Sequence, residues 1–128
     1  MKRQIPGYKK KLGALGEKIA GEYLQERAGY RIIARNYTCP LGELDIVAVD
    51  NTTTVFVEVR SVSLPFAGLA AESIGTRKQK KLRQLASYYL KERGLYGRQL
   101  RFDVMILLFD FEGETSIVKE IKHIKNAF

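Results

Sequence analysis

The chain has 128 residues, a length that fits one domain, and 45% of them are hydrophobic, enough to form a buried core without disulfides. The only cysteine, Cys39, excludes a disulfide framework and a cysteine-based zinc or iron–sulfur site. No apolar run approaches the length of a membrane span, and no signal-peptide pattern follows the basic amino terminus. We therefore expect a cytoplasmic protein with no membrane partner.

Basic and acidic residues alternate in blocks along the chain. The formal net charge of +8 divides into +6 for residues 1–37, −3 for 38–60, +7 for 61–101 and −2 for 102–128. Basic surfaces attract polyanions through phosphate neutralisation and counterion release, so the two basic blocks favour nucleic acid as a partner. Many small proteins of similar charge bind no nucleic acid, and charge alone leaves both interpretations open.

Seven regular elements are predicted after a basic arm. Residues 1–11 are rich in lysine, which predicts a flexible arm before a single domain over residues 12–128. Apolar positions at helical spacing from Leu12 predict a helix that stops at Gly29. The other predicted elements are strands over 30–37, 43–50 and 54–60, a loop over 61–73, a helix over 76–93 with Thr76 as N-cap, and strands over 100–110 and 116–121.

The order α-β-β-β-α-β-β predicts an α/β fold in which a mixed sheet is flanked by helices. The apolar run over residues 104–109 is typical of an internal strand, because both faces of such a strand are covered.

Acidic side chains cluster on the second and third predicted strands. Residues two apart on a strand share a face, so Glu43 lies with Asp45, and Glu58 lies with Arg60. A two-residue turn at 51–52 places Asp45 opposite Glu58 and Glu43 opposite Arg60, whereas a four-residue turn places Asp45 opposite Arg60. A three-residue turn without a bulge would divide the four residues between both faces. The other face of the two strands is expected to be apolar and to pack on the core: Leu44, Ile46, Val55, Val57 and Val59.

Opposed carboxylates repel one another unless a cation lies between them. Two or three oxygens from adjacent strands suit Mg²⁺, which accepts one or two carboxylates and keeps several waters. An ordinary cross-strand ion pair between Arg60 and an acid explains the same spacing, so spacing alone does not decide between a metal site and a structural pair.

Short motifs occur in a fixed order over most of the chain from Leu12 onward. They are Gly16-Glu17, Arg35-Asn36, Gly42-Glu43-Leu44-Asp45, Phe56-Val57-Glu58-Val59-Arg60, the helix that carries Lys78, Arg101-Phe102-Asp103 and Asn126-Ala127-Phe128. The set resembles the YraN-type uncharacterised protein family. That family is related to the restriction-endonuclease-like superfamily and is similar to archaeal Holliday junction resolvases, so the resemblance implies a restriction-endonuclease-like domain.

The resemblance also implies an activity, a Mg²⁺- or Mn²⁺-dependent DNA endonuclease with structure-specific cleavage as one form of it. Asp45 and Glu58 would be the metal ligands, helped by the carbonyl of Val59, and Glu17 would correspond to a glutamate on the first helix of the resolvases. A helix-border carboxylate near the positive helix terminus explains Glu17 equally well.

One position departs from the superfamily pattern, because Arg60 stands where that pattern has lysine. Arginine stays protonated and cannot act as a general base, although it can stabilise phosphate charge. Lys78 lies on the core-facing side of its helix and is a candidate replacement, unless it only extends to solvent.

Phosphate contacts are predicted on the second helix, where basic residues are concentrated near its start: Arg77, Lys80, Lys81 and Arg83. A solvated helix face is the alternative. His123 is the only histidine, so no histidine metal site is expected.

Two further functions remain open, a non-catalytic nucleic-acid-binding module and an interaction subunit of a repair or RNA-processing complex. The resolvase likeness suggests a homodimer, but no heptad or apolar interface stripe supports one.

Overall fold

The structure, a computed structural model, describes residues 8–63, 74–95, 97–112 and 115–128. The predicted element order is confirmed. The elements are α1 (Tyr8–Glu26), β1 (Arg31–Cys39), β2 (Gly42–Asp50), β3 (Thr53–Ser63), α2 (Thr76–Glu92), β4 (Leu100–Glu112) and β5 (Thr115–Ile124).

Several element boundaries differ from those predicted. Helix α1 begins at Tyr8 rather than at Leu12, so part of the predicted arm is helical, and residues 1–7 lie outside the described residues. Strand β3 continues to Ser63, into the predicted loop, whose residues 64–73 also lie outside them. Thr76 is not the N-cap of α2, because Gly75 occupies that position and supplies no side-chain cap.

The five strands form one sheet in the order β1-β2-β3-β4-β5, and the helices cover its two faces. Strands β3 and β4 are parallel because α2 forms the crossover between them, and the other neighbours are antiparallel. The sheet is therefore mixed, as predicted.

Two apolar cores lie on opposite faces of the sheet. Helix α1 packs through Ala20 and Leu24 on one face, and α2 packs through Leu82 and Leu85 on the other. Strand β4 contributes to both cores, with all side chains buried from Phe102 to Phe109, which confirms its predicted internal position. In the described part of the chain, neither helix is long and apolar enough to cross a membrane.

Glycines end both helices. Gly29 has φ 74°, and the Tyr30 amide then donates to the carbonyl of Leu24 at 2.8 Å, which confirms the predicted stop of α1. Gly94 has φ 67° after α2, and the Leu95 amide donates to Leu90 at 2.8 Å in the same way. Both hydrogen bonds satisfy carbonyl groups of the last helical turn.

Candidate functional site

The candidate site lies where β2 separates from β3. The tight turn after Asp50 sets Asp50 opposite Thr53, which confirms the two-residue turn, and the ladder then continues to Ile46 opposite Val57. Beyond that pair, the Val59 amide donates to a carboxylate oxygen of Asp45 at 2.9 Å. The Asp45 side chain therefore takes the place of a backbone acceptor, and neither predicted pair, Asp45 opposite Glu58 or Glu43 opposite Arg60, forms part of the ladder.

The strand alternation predicted for β2 is wrong at one residue. Leu44 packs in the α2 core, whereas Ile46 packs in the α1 core, although residues two positions apart on a strand should share a face. On β1, Asn36 lies at the level of Asp45 with φ 51°, a left-handed conformation that asparagine tolerates better than most residues. At this level of the sheet, groups from both helices approach Asp45, Glu17 from α1 and Lys78 from α2.

Three of the predicted site residues form one acidic cluster, which we define as Glu17, Asp45 and Glu58. Glu17 reaches it from α1 and donates a hydrogen bond to Asp45. Burial, followed by the charges of Asp45 and Glu43, raises the pKa of Glu17 to about 7. Burial raises the pKa values of Asp45 and Glu58 as well, and the charge of Asp45 adds to the effect on Glu58. The sequence therefore brings these carboxyl groups together against their mutual repulsion.

An asparagine links the acidic cluster to a fourth acid. With its amide nitrogen turned toward the acids, Asn36 donates to Glu17 at 2.6 Å and to Glu43 at 3.3 Å. Glu43 is exposed at the rim, so it adds negative charge to the cluster without being buried in it. The Asn36 amide thus fixes the orientation of Glu17.

Lys78 points toward the acids rather than only to solvent. Its ammonium nitrogen lies 3.5 Å from a carboxylate oxygen of Glu58, and its charge lowers the pKa of Asp45 against the effect of burial. Arg60 is near enough for its charge to lower the pKa of Glu58 in the same sense. The structure therefore brings all five residues predicted as catalytic to one location.

The side chains of the acidic cluster can supply two carboxylate ligands to a hard divalent cation. Among residues 8–63, 74–95, 97–112 and 115–128, no three His, Cys, Asp or Glu side chains form a group that could hold a metal ion. Mg²⁺ is commonly held by one or two carboxylates with water completing its shell. Asp45 and Glu58, on neighbouring strands and with raised pKa values, match that requirement, because a cation would relieve their repulsion.

A cleft of about 210 Å³ opens beside the cluster, between α1 and β1. Glu17 and Asp45 line it together with two basic side chains, Lys18 and Arg35, both of which are exposed. These two basic residues were not predicted, because nothing in the local sequence indicates that α1 and β1 meet beside Asp45.

The predicted basic residues of α2 do not form one surface. All four are exposed; Arg77 and Lys80 lie on the solvent side of the helix, and Lys81 flanks the buried stripe beside Gly42. Arg83 lies instead at the edge of that stripe, where its guanidinium stacks on the rings of Phe102 at 5.1 Å and Phe128 at 5.5 Å. Arg83 is thus separated from the other three.

The sequence matches the family described as "Uncharacterised protein family UPF0102" over residues 16–107. The chain belongs to the UPF0102 family. It is 51% identical over 120 residues to a UPF0102 protein of Pelotomaculum thermopropionicum, covering 94% of this chain and 97% of the relative. UPF0102 proteins of Moorella thermoacetica, 46% identical (89% and 94% covered), and Desulforamulus reducens, 47% identical (93% and 96% covered), are also similar. The YraN-type resemblance is therefore confirmed.

A second polar cluster in this UPF0102 chain was not predicted. Asp103 is fully buried on β4 and accepts hydrogen bonds from Tyr30 at 2.9 Å and from the Asn126 amide at 3.0 Å. Arg101 pairs with Asp103 at 3.1 Å, and the ring nitrogen of His123 lies 2.8 Å from it. Although burial acts to raise it, these partners, His123 foremost, hold the pKa of Asp103 down at about 2. The cluster explains the lone histidine as a structural residue.

Replacing Glu17 by Gln should make the stability of this UPF0102 protein less dependent on pH. The raised pKa of Glu17 means that the folded state binds the proton more tightly, so wild type loses stability as the pH rises from 4.5 to about 7. The glutamine side chain carries no such charge at any pH. Because solvent screens the partly exposed carboxyl, we expect E17Q to exceed wild type by about 1 kcal/mol at alkaline pH and to equal it at acid pH.

Urea unfolding at pH 4 and pH 8, with a chelator present, measures this difference. Glu22→Gln on the same helix is the control, because Glu22 is exposed. An E17Q protein that is less stable than wild type at pH 8 would contradict the prediction.

Proposed function

We propose that this protein is a Mg²⁺-dependent nuclease that hydrolyses phosphodiester bonds, with DNA as the expected substrate. The observation that carries the proposal is the acidic cluster of Glu17, Asp45 and Glu58, which meets Lys78 at a break in the sheet. Buried like charges are unfavourable for stability, and they commonly mark sites that bind cations or perform acid–base chemistry. The family resemblance supports the same function.

Asp45 and Glu58 would hold the metal ion, which supplies charge neutralisation at the phosphate and lowers the pKa of a bound water. The hydrogen bond from the Val59 amide holds one oxygen of the Asp45 carboxylate, so the other oxygen is the one that would bind the metal. Glu17, with a pKa of about 7, can hold or release a proton near neutral pH beside Asp45.

Lys78 and Arg60 supply positive charge on the other side of the acids. Lys78 lies against Glu58 and would stabilise the negative charge that develops on the phosphate. Arg60 would assist as a fixed cation but not as a base, because its guanidinium stays protonated. The exposed cations Arg77, Lys80 and Lys81 on α2 would contact the phosphate backbone outside the site.

Cleavage assays with Asp45→Asn and Glu58→Gln test the proposal. Each substitution removes one negative charge while keeping the side-chain size, so we expect the cleavage rate with Mg²⁺ or Mn²⁺ to fall at least about tenfold. The substrates are four-way junction, single-stranded and duplex DNA, together with single-stranded RNA, because the site does not indicate which of these is cleaved. Glu120→Gln is the matched control, an exposed acid on β5 outside the cluster.

Two outcomes would contradict the nuclease proposal. Equal cleavage by wild type, D45N and E58Q would assign the activity to another site or to a contaminant. If none of the substrates is cleaved with either metal, the protein does not have the proposed nuclease activity.

A second candidate function is nucleic-acid binding without turnover, and Arg60 favours it. An arginine at this position keeps the charge that attracts phosphate but loses the proton exchange that a lysine offers. Binding that weakens steeply with salt, in the absence of cleavage, would support this function.

A further inference from the structure

We propose that Lys18 and Arg35 form a phosphate-binding subsite in the cleft between α1 and β1, which receives the nucleic-acid backbone next to the bond at the acidic cluster. This inference rests on the proposed function and adds to it the path of the substrate strand. The sequence predicts phosphate contacts only on α2. A subsite on the opposite side of the acids becomes visible only in the folded structure.

The lining of the cleft carries the argument. Lys18 follows Glu17 on α1, and Arg35 precedes Asn36 on β1, so each base adjoins a residue of the acidic site. Arg35 pairs across the ladder with Ile46, the residue next to Asp45. Both cations thus line the cleft together with the acids, and both residues are exposed.

A close approach between α1 and β1 positions the arginine. The side chain of Arg35 lies over Gly21, where an added Cβ atom would overlap its guanidinium. Gly21 is buried under this group. The guanidinium therefore occupies space that only a glycine leaves open, and its location beside the cleft is set by packing as well as by charge.

Cations also lie on the far side of the acids. Lys78 contacts Glu58, and the side chain of Lys81 lies beside Gly42 at the start of β2, 3.7 Å from where a Cβ atom would be. Positive charge therefore brackets the negative cluster. A single small anion in the cleft would be repelled by Glu17 and Asp45, whereas a chain of phosphates can bind both cationic sides and span the acids. We therefore assign the subsite to a polynucleotide rather than to free phosphate.

Oligonucleotide binding with chelator present tests the subsite without requiring cleavage. Fluorescence anisotropy with a labelled single-stranded DNA compares wild type with Arg35→Gln and Lys18→Gln over a salt series. We expect each variant to bind about five- to tenfold more weakly, and the slope of log K against log salt to decrease by about 0.7 for each phosphate that is no longer neutralised. Arg31→Gln on the same strand and Lys119→Gln on β5 are matched controls that remove the same charge outside the cleft.

Gly21→Ala tests whether the position of the Arg35 guanidinium matters, because it leaves the charge of Arg35 unchanged. The added methyl group meets the flexible end of the Arg35 side chain and displaces it, while alanine favours the helix, so we expect an unchanged or higher melting temperature. DNA binding should nevertheless weaken about as much as in R35Q. A merely structural role for Arg35 would predict no loss of affinity in this variant.

The outcomes divide the two proposals. If wild type, R35Q and K18Q all bind DNA with the same affinity, the subsite is wrong while nucleic-acid binding stands. The same conclusion follows if the control variants R31Q and K119Q lose as much affinity as R35Q and K18Q. If wild type binds no oligonucleotide at low salt, the proposed function and the subsite are both overturned. Inhibition by millimolar inorganic phosphate as strong as that by competing DNA would also overturn the assignment to a polynucleotide.

Discussion

Replacing Asp103 by Asn should destabilise the protein by about 4 kcal/mol at neutral pH, because removing one partner of a buried charged network leaves the others without compensation. Asp103 has no exposed surface and accepts from Tyr30, Arg101 and the Asn126 amide. An amide in its place has a single acceptor oxygen and presents its own donors to these groups. A loss of this size is a large part of the stability of a domain of this length.

Equilibrium urea unfolding at pH 7 measures the loss for D103N, with Glu120→Gln as an exposed control that should stay within about 0.5 kcal/mol of wild type. The pH dependence gives an independent check. Since the pKa of Asp103 is lowered from 3.8 to about 2, its contribution is complete above 3.8 and is lost as the pH falls toward 2. D103N should lack that component of acid unfolding. If D103N is less stable than wild type at pH 7 by under about 1 kcal/mol, the role assigned to the network is contradicted.

The same substitution should loosen the carboxyl-terminal residues. The Asn126 amide donates to Asp103, the Ala127 amide donates to the carbonyl of Phe102 at 2.7 Å, and the Phe128 ring stacks on Phe102 with centroids 4.8 Å apart. Hydrogen exchange of these two amides should therefore accelerate in D103N more than exchange in α2 does.

Local patterns were sufficient to predict the elements and their order. Helical spacing, glycine stops and the turn after Asp50 are properties of neighbouring residues, and each was confirmed. The approach of Asp45, Glu58 and Lys78 was also expected from strand and helix periodicity, although the regular β2–β3 ladder ends at Ile46 opposite Val57, before it reaches Asp45.

The features that were missed depend on contacts between distant parts of the chain. Tyr30 and Asp103 are 73 positions apart, and no local pattern pairs them. A signal was nevertheless present, because Asp103 is a charged residue at the start of an apolar strand, and such a charge must be paired if it is buried. The face assigned to Leu44 failed for a different reason, because the alternation of β2 breaks between Leu44 and Ile46, at the level where Asn36 on the neighbouring strand has a positive φ.

The short distance between α1 and β3 is a third such feature, and it determines where Glu17 lies. Gly16 is buried against Ser61, so that a Cβ atom at Gly16 would overlap the Ser61 hydroxyl and lie 3.3 Å from the Ser61 Cβ. Glu17 is the next residue, and any outward movement of the helix at Gly16 carries its carboxyl away from Asp45. Gly16 thus allows the close packing of α1 on β3 that places the carboxyl group of Glu17 beside Asp45.

Gly16→Ala should therefore destabilise the protein by about 3 kcal/mol, the upper part of the range for overpacked cores, despite the better helix propensity of alanine. The strain expected in G16A arises from one contact, between the added methyl group and the hydroxyl oxygen of Ser61. The Ser61 hydroxyl is buried and has no hydrogen-bond partner among the described residues. Ser61→Ala alone should consequently change the free energy of unfolding by less than about 0.5 kcal/mol.

A double-mutant cycle measures the coupling between these two positions. In G16A/S61A the two Cβ atoms approach to 3.3 Å, which a shift of a few tenths of an ångström accommodates, so about 2 kcal/mol of the loss should be recovered. Strictly additive effects in urea unfolding would show that the helix does not rest on this contact. Recovery of stability in the double variant, together with the pH response expected for Glu17, would instead tie the position of the acidic cluster to the absence of a side chain at Gly16.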